Sequence, residues 1–152
     1  MDGIEPRAFS VVHSGPWSEL DRREFRPPGF ARGLVGKVFL KEALGLSAME
    51  LSLNKVPPGR ESPFLHRHVE HEELYLFVGG QGQMQVDGVI FDVREGTSVR
   101  VAPEGVRALR NSGPGDLYFV CVQAKAGSLA GGTIADGRRV EGPLVWTEPA
   151  GR

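Results

Sequence analysis

Along residues 34–124 apolar and polar positions alternate in short runs rather than at helical spacing. LVGKVFLK (34–41), SAMELSLNKV (47–56), ELYLFV (73–78), GQMQV (82–86), VIFDV (89–93), TSVRVA (97–102), VRALRN (106–111) and DLYFVCVQA (116–124) each read as a β-strand. Turn residues separate them: PPG at 57–59, GGQG at 79–82, DG at 87–88, EG at 95–96 and SGPGD at 112–116. Asp87-Gly88 between two short runs predicts a two-residue hairpin. Many short strands with a turn every ~8–12 residues predict an all-β sandwich or barrel. Helix is limited to one turn at KEALGL (41–46), ended by Gly45. Residues 1–33 lack this periodicity and form an N-terminal arm, with Trp17, Phe25 and Phe30 as anchors and a strand or two of its own. Residues 125–152 are glycine-rich, with a turn at DGR (136–138). They are expected to pack on the barrel as a C-terminal tail through PLVW at 143–146.

Composition narrows the class. A chain of 152 residues with 40% hydrophobic content suits one domain. Eighteen basic and nineteen acidic residues leave a formal charge of −1, so neither nucleic acid nor an anionic membrane is an expected partner. No apolar run approaches the ~18 residues of a membrane helix. The start, MDGIEPRAFS, lacks the apolar stretch of a secretory signal. Cys121 is the single cysteine, which excludes an internal disulfide framework; its run is apolar on both faces, so it reads as a buried thiol. Together these features lead us to expect a cytoplasmic protein.

The chemistry concentrates in HRHVEHEELYLFVGGQG (66–82). His66 and His68 are two residues apart, so on extended backbone both imidazoles point to the same side. Glu73 opens the next run and shares a face with Tyr75 and Phe77, while Leu74, Leu76 and Val78 share the other. A carboxylate on an aromatic face needs a partner if it is buried. Two histidines and a carboxylate form a facial set for Fe, Mn, Ni or Zn with open positions for a ligand. Tyr75 is a candidate donor to this set, or a core tyrosine. His71 reads as a rim residue, with Glu70 and Glu72 in the loop beside it. His13 has no partner nearby in sequence.

PPGRESPFLHRHVEHEELYLFVGGQG resembles the first motif of the cupin superfamily, which places a glycine, H-x-H, a glutamate and a glycine in that order. The elements here are Gly59, His66, His68, Glu73 and Gly80, with one extra residue between Gly59 and His66. Glu72 with Gly79 is the other way of placing the glutamate. GTSVRVAPEGVRALRN resembles the second motif through Gly96, Pro103, Gly105 and Asn111, but its histidine is missing. Counting forward from Gly105 puts Ala108 in its place; counting back from Asn111 puts Arg107 there. The resemblance covers about residues 46 to 124. It implies a double-stranded β-helix, a small jelly-roll barrel over 34–124, with His66, His68 and Glu73 inside as metal ligands. It also implies a small-molecule ligand, a homodimer, and reactions such as dioxygenation, isomerisation, epimerisation or decarboxylation.

The missing histidine divides the expectation. A guanidinium ~4 Å from a divalent ion would repel it by on the order of 8 kcal/mol at an effective dielectric near 20. With Arg107 pointing inward, either metal is absent and Arg107 pairs with Glu73, or an anionic substrate lies between the two cations. With Arg107 pointing outward, a three-ligand metal site survives. The two functional readings are therefore a metal-binding, small-molecule metalloenzyme and a metal-free barrel that binds a small anionic or sugar-like ligand through Arg107.

Overall fold

The computed structural model describes residues 8–26, 28, 29 and 31–146. Its main body is a pair of antiparallel sheets. Strands β3 (Lys37–Phe39), β4 (Glu50–Val56), β5 (His71–Gly79), β8 (Ser98–Val101) and β10 (Leu117–Lys125) form one, in the order β3-β4-β10-β5-β8. Strands β6 (Gln81–Val86), β7 (Val89–Arg94) and β9 (Arg107–Arg110) form the other, in the order β7-β6-β9. Tyr75, Phe77, Val101, Leu117, Phe119 and Cys121 from the larger sheet meet Met84 and Val93 from the smaller one, and all are 5% exposed or less. This is the jelly-roll architecture of the double-stranded β-helix.

The strands form where alternation places one face in the core. On β5 the inward residues Glu73, Tyr75 and Phe77 are buried, while Leu74 and Val78 on the outer face are exposed. The β6–β7 turn is the expected hairpin. Asp87 and Gly88 both have positive φ, at 50° and 82°, which a type I′ connection demands. Helix α1 (Lys41–Leu44) is one turn and ends at left-handed Gly45, also as expected.

Some boundaries differ from the sequence reading. The run LVGKVFLK is broken at Gly36, whose φ of 83° separates β2 (Leu34–Val35) from β3. Strand β2 pairs with β1 (Glu24–Phe25) in a separate two-stranded ribbon. His71 and Glu72 lie in β5 rather than in a loop, because Lys125 and Ala124 of β10 pair with them. The arm contains a 3-10 turn, Trp17–Arg22, that burial of Leu20 holds in place and that no periodicity foretold. Trp17 packs edge-on against Tyr118 at 6.0 Å and Phe25 against Phe39 at 4.7 Å, whereas Phe30 lies outside the described residues. The Lys55 ammonium fastens the arm further, reaching Asp21 at 3.0 Å and the Ser18 carbonyl at 2.7 Å. The described part of the tail does not pack as expected. Leu144, Val145 and Trp146 are 70–89% exposed, because nothing in 126–146 forms a strand that would dock them. Residues 147–152 lie outside the described residues.

Candidate metal centre at the barrel mouth

The HxH segment is not a free loop. It runs antiparallel to β9 as an irregular fourth neighbour of the smaller sheet. The His66 amide donates to the Arg107 carbonyl at 3.2 Å and the Arg107 amide returns to the His66 carbonyl at 2.9 Å. The His68 amide donates to the Pro103 carbonyl at 2.9 Å, and Ser62 and Leu109 are linked the same way further along. His66 and Arg107 are therefore directly opposed, and opposed residues point their side chains to the same face. This settles the register: Arg107, not Ala108, faces the histidines.

Strand β5 brings Glu73 to the same place from the larger sheet. The imidazoles of His66 and His68 and the carboxylate of Glu73 offer ligand atoms that all lie within 4.8 Å of one another. His68 Nε2 is 3.0 Å from Glu73 Oε1, and His66 Nε2 is 3.9 Å from Oε2. The two imidazoles are partly open to solvent, with side chains 37% and 27% exposed, while Glu73 is buried. Glu72, the alternative glutamate, faces outward and pairs with Arg100 Nε at 2.6 Å. His71 is exposed and 3.3 Å from Gln123 Oε1, which places it at the rim.

Glu73 Oε2 is held from three sides. The Tyr75 hydroxyl donates to it at 2.6 Å, and Arg107 donates through Nε at 3.0 Å and Nη2 at 2.8 Å. Burial raises the Glu73 pKa, but the hydrogen bonds from Tyr75 and Arg107 and the guanidinium charge outweigh it and hold the group at about 2. Burial and the neighbouring carboxylate push the Tyr75 phenol up, so it stays a donor. Tyr75 thus serves as both core residue and donor. Cys121 approaches Oε1 at 3.6 Å; burial, then the Glu73 charge, raises its thiol to about 12, so it is protonated and buried as its sequence context suggests. Burial lowers the His66 pKa, and the Arg107 charge adds to that against the pull of Glu73, so its imidazole is neutral at neutral pH.

Arg107 corrects one expectation. Its side chain is 1% exposed, and Nη1 donates to the carbonyls of Gly105 at 2.7 Å and Pro103 at 3.3 Å. With its remaining contacts on Glu73, the guanidinium is a positioning group for that carboxylate rather than an anchor a ligand can reach. Sequence reasoning also missed Lys37. Its Nζ enters the inner face from β3 and bonds Ser52 Oγ at 3.1 Å and Asn54 Oδ1 at 2.9 Å. The signal available was weak: Ser52 and Asn54 fall on the face of β4 that a core strand would make apolar.

Arg107 points inward, the arrangement expected to oppose a metal, but its guanidinium is paired with Glu73 Oε2 at 2.8 Å, so its charge is offset rather than bare. The residues present still fit a divalent ion. Two imidazoles and one carboxylate oxygen supply three nitrogen and oxygen donors, and the far oxygen is oriented by hydrogen bonds, as ligating carboxylates commonly are. The ion would replace the His68–Glu73 hydrogen bond.

Known proteins show the same frame. The family model for the Cupin domain matches residues 52–123. A cupin protein from Bacteroides fragilis is 34% identical, with 77% of this chain and 98% of that one covered and a TM-score of 0.66. A Thermotoga maritima protein described as a predicted oxalate decarboxylase is 25% identical, with 61% and 79% covered and a TM-score of 0.52. An uncharacterized protein of Methanocaldococcus jannaschii is 32% identical over 66 residues, which span 43% of this chain and 52% of that protein.

Proposed function

The chain belongs to the cupin family, and from that premise we propose that it binds a divalent metal ion through His66, His68 and Glu73. The ion, one of Fe, Mn, Ni or Zn, would serve a small-molecule metalloenzyme. The observation that carries this reading is the convergence of two half-open imidazoles and one carboxylate within 4.8 Å. A bound ion would supply a Lewis acid or redox centre with open positions for a small molecule.

The protein's own residues do the rest. Tyr75 and Arg107 hold Glu73 in one orientation and keep it ionised. Low basicity leaves the His66 lone pair available at neutral pH. Tyr75, Phe77 and Phe119 are buried, with the Tyr75 and Phe77 rings both in contact with Phe119, and would form an apolar wall next to Glu73.

Elemental analysis of the purified, untagged protein beside the His66→Ala/His68→Ala variant tests the proposal. Near-stoichiometric metal in the parent and none in the variant is the expected result. Metal retained by the variant, or absent from the parent even after reconstitution, overturns it.

A second reading rests on Arg107. Its guanidinium already supplies Glu73 with a positive partner, so the pair is electrostatically complete without an ion. In that case the barrel binds an acidic or sugar-like small molecule unaided. A thermal-shift screen separates the two readings: stabilisation by carboxylates in chelator favours the second, and stabilisation only with metal favours the first.

A further inference from the structure

The inner face of the larger sheet is not uniformly dry. Its lower part is Phe77, Phe119, Leu117 and the residues they meet across the core. Beside it, β3 and β4 place a lysine, a serine and an asparagine. Lys37 stands opposite Asn54, and Phe39 opposite Ser52, in the β3–β4 register. Ser52 and Asn54 in turn stand opposite Cys121 and Phe119 on β10, so the group faces the barrel interior. Ser52 is 2% and Asn54 4% exposed, while Lys37 is only partly buried.

Lys37 is held in place. Its ammonium spans Ser52 Oγ and Asn54 Oδ1 and sits 4.9 Å from the centre of the Phe39 ring. Asn54 is itself fixed by donating to the Ser52 and Phe119 carbonyls at 3.0 and 3.3 Å. An ammonium has three hydrogens, and these contacts occupy two. Ser52, which holds Lys37, stands opposite Cys121 on β10; Cys121 in turn stands opposite Tyr75 on β5, and its Sγ is 3.6 Å from Glu73 Oε1. Lys37 therefore shares the inner face of the larger sheet with Glu73, on the edge strand β3 with β4 and β10 between it and β5.

Polar side chains in a barrel wall cost stability that leucine or valine would not. The charge balance indicates what they serve. Glu73 and Arg107 cancel. The rim carboxylate of Glu50 is engaged by the amides of Lys41 and Leu51 at 2.9 and 3.0 Å. Lys37 makes no salt bridge among the described residues, its ammonium being hydrogen-bonded only to the neutral Ser52 and Asn54 side chains, and a divalent ion at the centre would add further positive charge to the same interior.

We propose that Lys37, positioned by Ser52 and Asn54, anchors the carboxylate of a small organic acid whose other end lies at the His66/His68/Glu73 centre. Only the placement of that other end rests on the metal reading. The lysine anchor stands on the geometry of β3 and β4.

The test is calorimetric titration of malonate into the parent, Lys37→Met and Lys37→Arg proteins. Each is examined once metal-free in chelator and once with Co(II), whose visible absorption reports the metal centre separately. We expect malonate to bind the parent, and Lys37→Met to weaken it by at least about tenfold, the loss of one charge-assisted contact. Lys37→Arg should stay within about fivefold of the parent, since it retains the charge. Equal malonate affinity in the parent and Lys37→Met overturns the anchor, while an unchanged Co(II) spectrum leaves the metal reading standing. Should Co(II) not bind, the metal reading fails and the metal-free titrations alone decide the anchor. Malonate binding in none of these states overturns it. Lys37→Gln, which keeps a hydrogen-bonding head without the charge, replaces Lys37→Met if the latter does not fold.

Discussion

Replacing Arg107 with methionine removes the buried cation that keeps Glu73 ionised. The Glu73 carboxyl sits at about 2 in place of 4.5. At about 1.4 kcal/mol per unit that depression stabilises the folded state by roughly 3 kcal/mol at pH 7. Because the folded pKa is lowered, the contribution is complete above pH 4.5 and fades as pH falls toward 2; about 1.5 kcal/mol of it remains at pH 3. In Arg107→Met the Tyr75 bond persists, but burial is no longer outweighed and the carboxyl moves up. Removing one partner of a buried pair costs about 3–5 kcal/mol. Urea denaturation of both proteins in chelator should therefore show a loss of about that size at pH 7. The gap should narrow by about 2 kcal/mol at pH 3, where the parent has itself lost part of the benefit. Adding Glu73→Gln to Arg107→Met should recover at least half of the loss at pH 7, since no charge is then left buried. A loss below about 1 kcal/mol, or the same loss at both pH values, would refute the account of Arg107 as the group that holds Glu73 ionised.

Three further outcomes follow from the same geometry. Arg107→His removes the cation opposing an ion and offers a fourth nitrogen directly opposite His66, so competition with a chelator should show Zn(II) or Ni(II) affinity raised at least about tenfold. Tyr75→Phe deletes the 2.6 Å bond to Glu73; a hydrogen bond to a charged acceptor is worth about 1.5–3 kcal/mol, so chemical denaturation at pH 7 should show a loss in that range. Gly80→Ala should be among the costliest small changes: φ there is +79° and an added Cβ would collide with the Asp116 carbonyl. Thermal melts should show it several degrees below the parent, while Gly88→Ala, with open space around its Cβ, loses less.

The chain's own pattern determined a good deal. Alternation located eight of the strands to within a few residues, because a half-buried sheet face writes a period of two into the sequence. Spacing alone put His66 and His68 on one side of extended backbone, and alternation put Glu73 with Tyr75 and Phe77 on the inner face. Sequence left open where Arg107 points, since a one-residue slip reverses the facing of every side chain on a strand. The backbone pairing between His66 and Arg107 decides that, and it joins residues 41 positions apart. The same limit hid Lys37. Nothing local distinguishes it from a surface lysine until β3 pairs with β4 and sets it beside Ser52 and Asn54. Local pattern records which face of an element is buried; only long-range pairing fixes which buried groups meet, and with them the charge at the centre of the barrel.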